Sequence, residues 1–269
     1  MKKAFLIATT FDRFDGLKTI LSSVFKFYPD WSVVIVTQGY TNQQKYELDK
    51  FVFGRDAICI YKDELIGAHS AKILALNEVE ADIYCSLDDD MEITEKTDYN
   101  SIVERLMSDK QSGIITSNWV KSRSMFYKKQ IKDEFVKSRL VFTGGGLLFR
   151  KDIANIIKAI PNEQYLFDDC LWAMYSYIHG YDNYRYRGSI SIHRICTKGG
   201  RRTWIDKGGK KVLPPKDYLN VRKGNGKKNG YNEYLICTDN DLTEYAKMLH
   251  DLNKTYLLNT KGDTKNENI

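Results

Sequence analysis

Short, β-rich apolar runs alternate with helix-periodic segments through the first third of the chain, and this alternation restricts the fold more than any other feature. Residues 4–10, 33–37, 57–61 and 83–87 are apolar runs of strand length. Between them, Leu17, Ile20, Leu21, Val24 and Phe25 recur at three- and four-residue spacing after Gly16, residues 42–51 form a polar helical stretch, and residues 70–79 carry a third helical pattern. Strand–helix–strand repeated three times predicts a mostly parallel sheet, because right-handed crossovers place helices on both faces. Ligands of such sheets bind at the C-terminal edges of the strands. Thr9, Phe11, Asp12, Arg13, Gln38 and the run Asp88-Asp89-Asp90 all fall on that edge.

Three consecutive acids at a strand end repel one another, and a divalent cation with oxygen ligands is the usual reason to tolerate that; Mg²⁺ and Mn²⁺ fit, keeping positions open for phosphates. If the strand continues through the run, Asp88 and Asp90 share one side and Asp89 takes the other. The competing reading is an acidic turn that merely ends the strand.

Further along, residues 99–108 read as a helix and 113–117 as a strand, while 118–139 are polar and carry no clear period. Residues 141–150 form a strand interrupted by Gly144-Gly145-Gly146, a place where another backbone or a ligand comes close. Residues 151–160 are helical up to Pro161. Asp168-Asp169 precede a helix over 170–178 closed by Gly180, and N-capping accounts for such acids without any catalytic role. Residues 189–192 read as a strand, followed by His193. Residues 242–258 form an amphipathic helix, and 259–269 read as a disordered tail.

Five widely spaced cysteines without a C-x-x-C pair indicate neither a disulfide framework nor a zinc site, and fit a reducing cytoplasm. The N-terminus imitates a signal peptide but has no small-residue cleavage site and reads as a first strand. No stretch is apolar for the length of a membrane span. Residues 185–230 hold 14 Lys/Arg against two acids, a net +12 that exceeds the +6 of the whole chain, so the remainder is acidic.

Taken together, Asp88-x-Asp90, the strand Gly144-Gly145-Gly146-Leu-Leu-Phe-Arg150 and the pair Asp168-Asp169 before a helix ending His179-Gly180-Tyr181 resemble, in order and spacing, the GT-A-fold nucleotide-sugar glycosyltransferases of the family-2-like inverting branch. The resemblance covers residues 3–193. It implies an α/β, Rossmann-like sheet with a donor half (1–93) and an acceptor half (94–193), followed by a basic irregular segment and C-terminal helix (194–258) packed on the same domain. It implies that Asp90 ligates Mn²⁺ or Mg²⁺, that Asp88 contacts the donor and shares in the metal site, and that Asp89 belongs to the donor site. Asp169 matches the catalytic base, with Asp168 as its alternative. His193 matches a further metal ligand, or is a hydrogen-bonded histidine at a strand edge. Thr9, Phe11, Asp12, Arg13 and Gln38 stand where relatives hold the nucleobase and ribose, although Thr37-Gln38-Gly39 replaces the usual acidic residue. Lys72 takes the place of an arginine and either neutralises phosphate or is an exposed helix lysine. Gly144 to Gly146 would floor the acceptor site, with Trp119 and Trp172 as walls or, for Trp172, as core. The implied donor is a UDP-sugar.

The basic segment, residues 198–228, has three readings: a lid with Arg201 and Arg202 clamping the donor diphosphate, a grip on a polyanionic acceptor, or a solvated loop. Its charge exceeds what one diphosphate requires, and phosphate-backbone binding needs little besides positive charge. The favoured acceptor is therefore DNA carrying a hydroxymethylated base, as in some viral DNA-modifying transferases, with the host cytoplasm as the location in that case. The base would be flipped out to reach Asp169. A surface glycan or lipid-linked saccharide is the alternative acceptor. A nucleotidylyltransferase, for which the first strand edge lacks the expected glycines, and a non-enzymatic nucleic-acid-binding protein are the other classes.

Overall fold

A computed structural model describes residues 1–64, 66–120, 131–137, 146–160 and 168–193, with two short pieces at 204–205 and 211–212. The basic-segment arginines Arg201 and Arg202, Gly144 and Gly145, the C-terminal helix and the tail lie outside the described residues, as do the side chains of Asp12 and Asp168.

The alternation becomes β1 (Lys3–Thr10), a 3₁₀ turn (Phe11–Arg13), α1 (Phe14–Phe27), β2 (Ser32–Gln38), α2 (Asn42–Val52), β3 (Ala57–Lys62), α3 (Ala68–Glu78) and β4 (Ile83–Asp88). Then follow β5 (Met91–Glu92), α4 (Tyr99–Ser108), β6 (Ser112–Val120), β7 (Phe135–Lys137), β8 (Leu147–Arg150), α5 (Lys151–Lys158), α6 (Asp168–Ile178) and β9 (Asp182–His193). The nine strands form one sheet in the order β3-β2-β1-β4-β8-β6-β9-β5, with β7 also on β9. Strands β3, β2, β1 and β4 pair in parallel. Beyond them β8 runs antiparallel between β4 and β6, and β9 is parallel to β6.

Alternation along each strand divides the core. Phe5 and Ile7 of β1 face the layer of α1, α2 and α4 with Leu17, Ile20, Leu48 and Ile102. Ala4 and Leu6 face the layer of α3, α5 and α6 with Ala71, Ile153, Trp172 and Ala173. Helices therefore cover both faces, and a strand buried on both sides reads as a continuous apolar run.

The structure differs from the sequence expectation in three places. The last strand starts at Asp182 rather than 189, because its first residues alternate Tyr184 and Tyr186 with Arg185 and Arg187 and carry no apolar run. Of the expected strand 141–150, Leu147–Arg150 form β8, and residues 141–145 lie outside the described residues. Strands β5 and β7, of two and three residues, are too short to leave a period. In the basic segment, expected as irregular loops, Trp204–Ile205 pairs antiparallel with Lys211–Val212.

Two buried residues flank β8 and fix its packing. The left-handed φ of Gly146 is 103°, and a Cβ there would stand 2.7 Å from the Tyr99 hydroxyl and 3.0 Å from Cys85 Sγ. Its smallness thus serves core packing at this glycine, not the approach of a ligand. Arg150 ends β8 and is almost fully buried. Its guanidinium donates to the carbonyls of Leu106, Asp109, Lys110 and Ser112 at 2.7–3.2 Å and to both oxygens of Asp152. One fork thereby satisfies the orphan carbonyls at the end of α4 and the turn after it. Arg150→Ala is expected to destabilise the protein by about 3 kcal/mol or more, read by urea unfolding, since several buried acceptors lose a charged donor. Arg150→Lys, lacking the fork, should recover only part of this.

Candidate active site

The C-terminal strand edge gathers most of the expected residues, through contacts the alternation rule does not anticipate. Strand β4 ends at Asp88, and Asp89-Asp90 form a turn. The expected split, with Asp88 and Asp90 on one side and Asp89 on the other, is therefore not observed: the pleat stops before it applies. Asp88 remains on the α3 face, where Lys72 Nζ lies 2.9 Å from its Oδ1. Asp89 and Asp90 instead converge on Arg13, whose Nη1 donates to Asp89 Oδ1 and lies 3.6 Å from Asp90 Oδ2. The 3₁₀ turn after β1 delivers Arg13 to this point. Burial pushes the Asp89 carboxyl up to about 6, with the Arg13 guanidinium opposing and the Asp90 charge adding to the rise. An acid buried at this depth needs Arg13, so Asp89 and Arg13 stabilise the turn that carries Asp90.

His193 reaches the same turn through β5. Met91, next to Asp90, is in register with His193 on β9, which places His193 Nε2 3.2 Å from Asp90 Oδ2. The Trp119 ring packs edge-on to the imidazole at 5.2 Å between centroids. Asp90 and His193 thus present one oxygen and one nitrogen side by side at the sheet edge. Among the described residues no group of three or more His, Cys, Asp or Glu side chains is arranged to hold an ion, because Asp88 is turned to Lys72. One carboxylate and one imidazole still fit Mn²⁺ or Mg²⁺, which commonly take one or two protein ligands and complete their shell with water and phosphate.

Lys72 is buried, which excludes the exposed-lysine reading. Its Nζ sits 6.0 Å from the centre of the Trp172 ring. Trp172 is itself fully buried, as its core reading expects, and its Nε1–H donates to His69 Nδ1 at 3.0 Å. His69 therefore accepts at Nδ1, which in the neutral ring places its proton on Nε2. Sequence reasoning missed this link between α3 and α6. A histidine and a tryptophan 103 residues apart carry no local signal.

Asp168 and Asp169 are the first two residues of α6, not residues preceding it. Asp169 lies at i−3 and i−4 from Trp172 and Ala173 and at i−7 from Ser176, all three fully buried, so it continues the stripe of α6 that faces the sheet. Helix α6 runs antiparallel to β9, into which it leads, so its N-terminus stands at the same edge as Asp88 to Asp90. A helix N-terminus favours an ionised carboxylate there.

The nucleobase residues separate. Gln38 is buried, and its Oε1 accepts from the N–H groups of Ile66 and Gly67 at 2.7 and 2.9 Å, so its carbonyl shapes the loop entering α3. Phe11 packs against Gly39, whose φ is 72°, with Cδ1 3.1 Å from where a Cβ would stand. The Phe11 carbonyl accepts from Gln44 Nε2 at 2.8 Å. Thr9 is buried on β1 behind Asp89. Cys59 and Cys85 are free thiols.

A family model described as glycosyl transferase family 2 matches residues 5–162, more than half of the chain. The chain belongs to that family. No curated protein sequence matches it. Its fold is similar to that of the mannosyltransferase PcManGT from Pyrobaculum calidifontis in complex with GDP-Man and Mn²⁺ (TM-score 0.59, 15% identity, covering 95% of this chain and 69% of that one). It is also similar to S. aureus TarS 1-349 in complex with UDP (0.56, 15%, 72% and 61%) and to GalNAc-T7 with UDP, GalNAc and Mn²⁺ (0.58, 11%, 72% and 44%). The match spans about three-fifths of the TarS chain and less than half of GalNAc-T7. The GT-A architecture expected from the motif order is thus the architecture found.

Proposed function

We propose that the protein transfers a sugar from a nucleotide-sugar donor, with inversion, to an acceptor hydroxyl, assisted by Mn²⁺ or Mg²⁺. The convergence of Asp90, His193 and Asp169 on one sheet edge carries this reading. Proteins of similar fold are found with GDP-Man and Mn²⁺, with UDP, GalNAc and Mn²⁺, and with UDP-GlcNAc, and a UDP-sugar is the favoured donor. The bound cation would supply positive charge to the diphosphate as it leaves. Asp90 and His193 would hold it, and Asp88, steadied by Lys72, would orient the donor. Asp169 takes the proton of the acceptor hydroxyl while that oxygen bonds to the anomeric carbon and the bond to the diphosphate breaks. The nucleoside diphosphate departs with the electron pair.

The acceptor proposed is DNA with a hydroxymethylated base, on the strength of the net +12 over residues 185–230. Among the described residues no helix is long and apolar enough to cross a membrane. The test is a donor panel with Mn²⁺ against hydroxymethylated DNA, unmodified DNA and glycan acceptors, read by mass shift. A hexose or pentose increment on hydroxymethylated DNA alone supports both donor and acceptor. An increment on glycan alone keeps the transferase and removes the DNA.

A further inference from the structure

The acceptor half contains a cation that the proposed mechanism does not use. Arg185 lies in β9, in register with Thr116 of β6 and Val136 of β7. Thr116 is also in register with Leu147, which belongs to the core layer of α3, α5 and α6. Arg185 therefore projects to the face that carries Asp169, while its neighbours Tyr184 and Tyr186 pack into the opposite layer.

Its height along the sheet follows from two contacts. Asn183 Nδ2 donates to the Ala173 carbonyl at 2.7 Å, and Asn183 Oδ1 accepts from Ser176 Oγ at 3.0 Å, which sets Asn183 between these two residues of α6. From there β9 climbs roughly 7 Å over two residues to Arg185. The antiparallel α6 climbs roughly 8 Å in the same direction, over about five to six residues, to Asp169. Arg185 and the proposed base thus stand at one level of the same layer.

Arg185 is half-buried, and no described carboxylate is in an ion pair with it. Burial, with the like charge of Arg187 adding to it, holds its guanidinium below the usual arginine range. By contrast, Arg187 is paired with Glu134 at 2.9 Å, Arg150 with Asp152, and Arg105 with Asp109. A partly desolvated guanidinium kept without a carboxylate disfavours folding unless an anion arrives from outside. We infer that Arg185 receives a phosphate of the acceptor beside the hydroxyl that Asp169 deprotonates. This rests on the reading of Asp169 as the base, and it deepens the proposed nucleic-acid acceptor.

The test uses the full chain and inorganic phosphate as the probe. UDP and Mg²⁺ are held at saturation so that the donor site cannot take the phosphate, and binding is followed by thermal shift. A melting temperature raised by UDP and Mg²⁺ checks the donor reading first; its absence counts against that reading and leaves the Arg185 comparison to be made without nucleotide. Wild type is expected to gain a further phosphate-dependent rise. Arg185→Met should weaken the apparent phosphate affinity about 10-fold or more, the loss of one charge-assisted contact. The surface variant Arg187→Ala should leave it unchanged. Without phosphate, Arg185→Met should melt at or above the wild-type temperature, since an arginine serving only the fold would lower it on removal. Equal phosphate binding by wild type and Arg185→Met, or a marked loss of stability in that variant, overturns the inference.

Discussion

Asp169→Asn is expected to fold, to bind donor nucleotide as wild type does, and to transfer sugar about 10²–10⁴-fold more slowly, the usual contribution of a positioned general base. The substitution keeps the size and hydrogen-bonding reach of the side chain and removes its capacity to take a proton. Asp169 lies in the first turn of α6 on the stripe of Trp172, Ala173 and Ser176, so its backbone position is fixed by buried residues that the variant leaves untouched. Steady-state transfer and nucleotide titration on the same preparation separate the two roles. Full transfer by Asp169→Asn moves the base assignment to Asp168. An equal loss of nucleotide binding and transfer would make Asp169 a donor ligand.

Asp90→Ala should lower kcat/KM with Mn²⁺ by about 10²-fold or more, because it removes one of the two groups that would hold the ion. Its neighbour gives the contrast. Asp89 is the partner of Arg13 in a buried turn, so Asp89→Asn should act first on stability, stripping the guanidinium of its ionised partner. Melting curves and Mn²⁺ titrations of activity on both variants distinguish these outcomes. If Asp89→Asn shifts the Mn²⁺ dependence and Asp90→Ala does not, the two acids exchange roles.

How far the sequence carried the reading depends on the range of the interactions involved. The parallel block was legible because β1, β2 and β4 are buried on both faces and leave unbroken apolar runs, with α1 between them showing a clear helical period. The acid run is legible as a candidate site because its place at the end of β4 follows from that order. The direction of its side chains is not, since alternation holds only to Asp88, where the strand ends. His193 was legible only by resemblance: the link that brings it to Asp90 is β5, a two-residue strand with no period of its own. The contact of Gln38 with Ile66 and Gly67, the bond from Trp172 to His69, and the fork of Arg150 on the end of α4 all join residues at least 28 positions apart. Hydropathy patterns do not encode such pairs. Gly146 was recognised as a point of close approach, but only the fold shows that Tyr99 and Cys85 are what approaches it.

The proposed role of this sheet edge is to activate a nucleotide sugar with the help of a divalent cation. Its most direct test is the release of nucleoside diphosphate from a panel of UDP- and GDP-sugars, with acceptor present, in Mn²⁺ and then in excess chelator. Release from a preferred donor is expected in Mn²⁺, lost with chelator and restored by adding the metal back. Release at the same rate in chelator, or no release from any nucleotide sugar by folded protein in Mn²⁺, would contradict it.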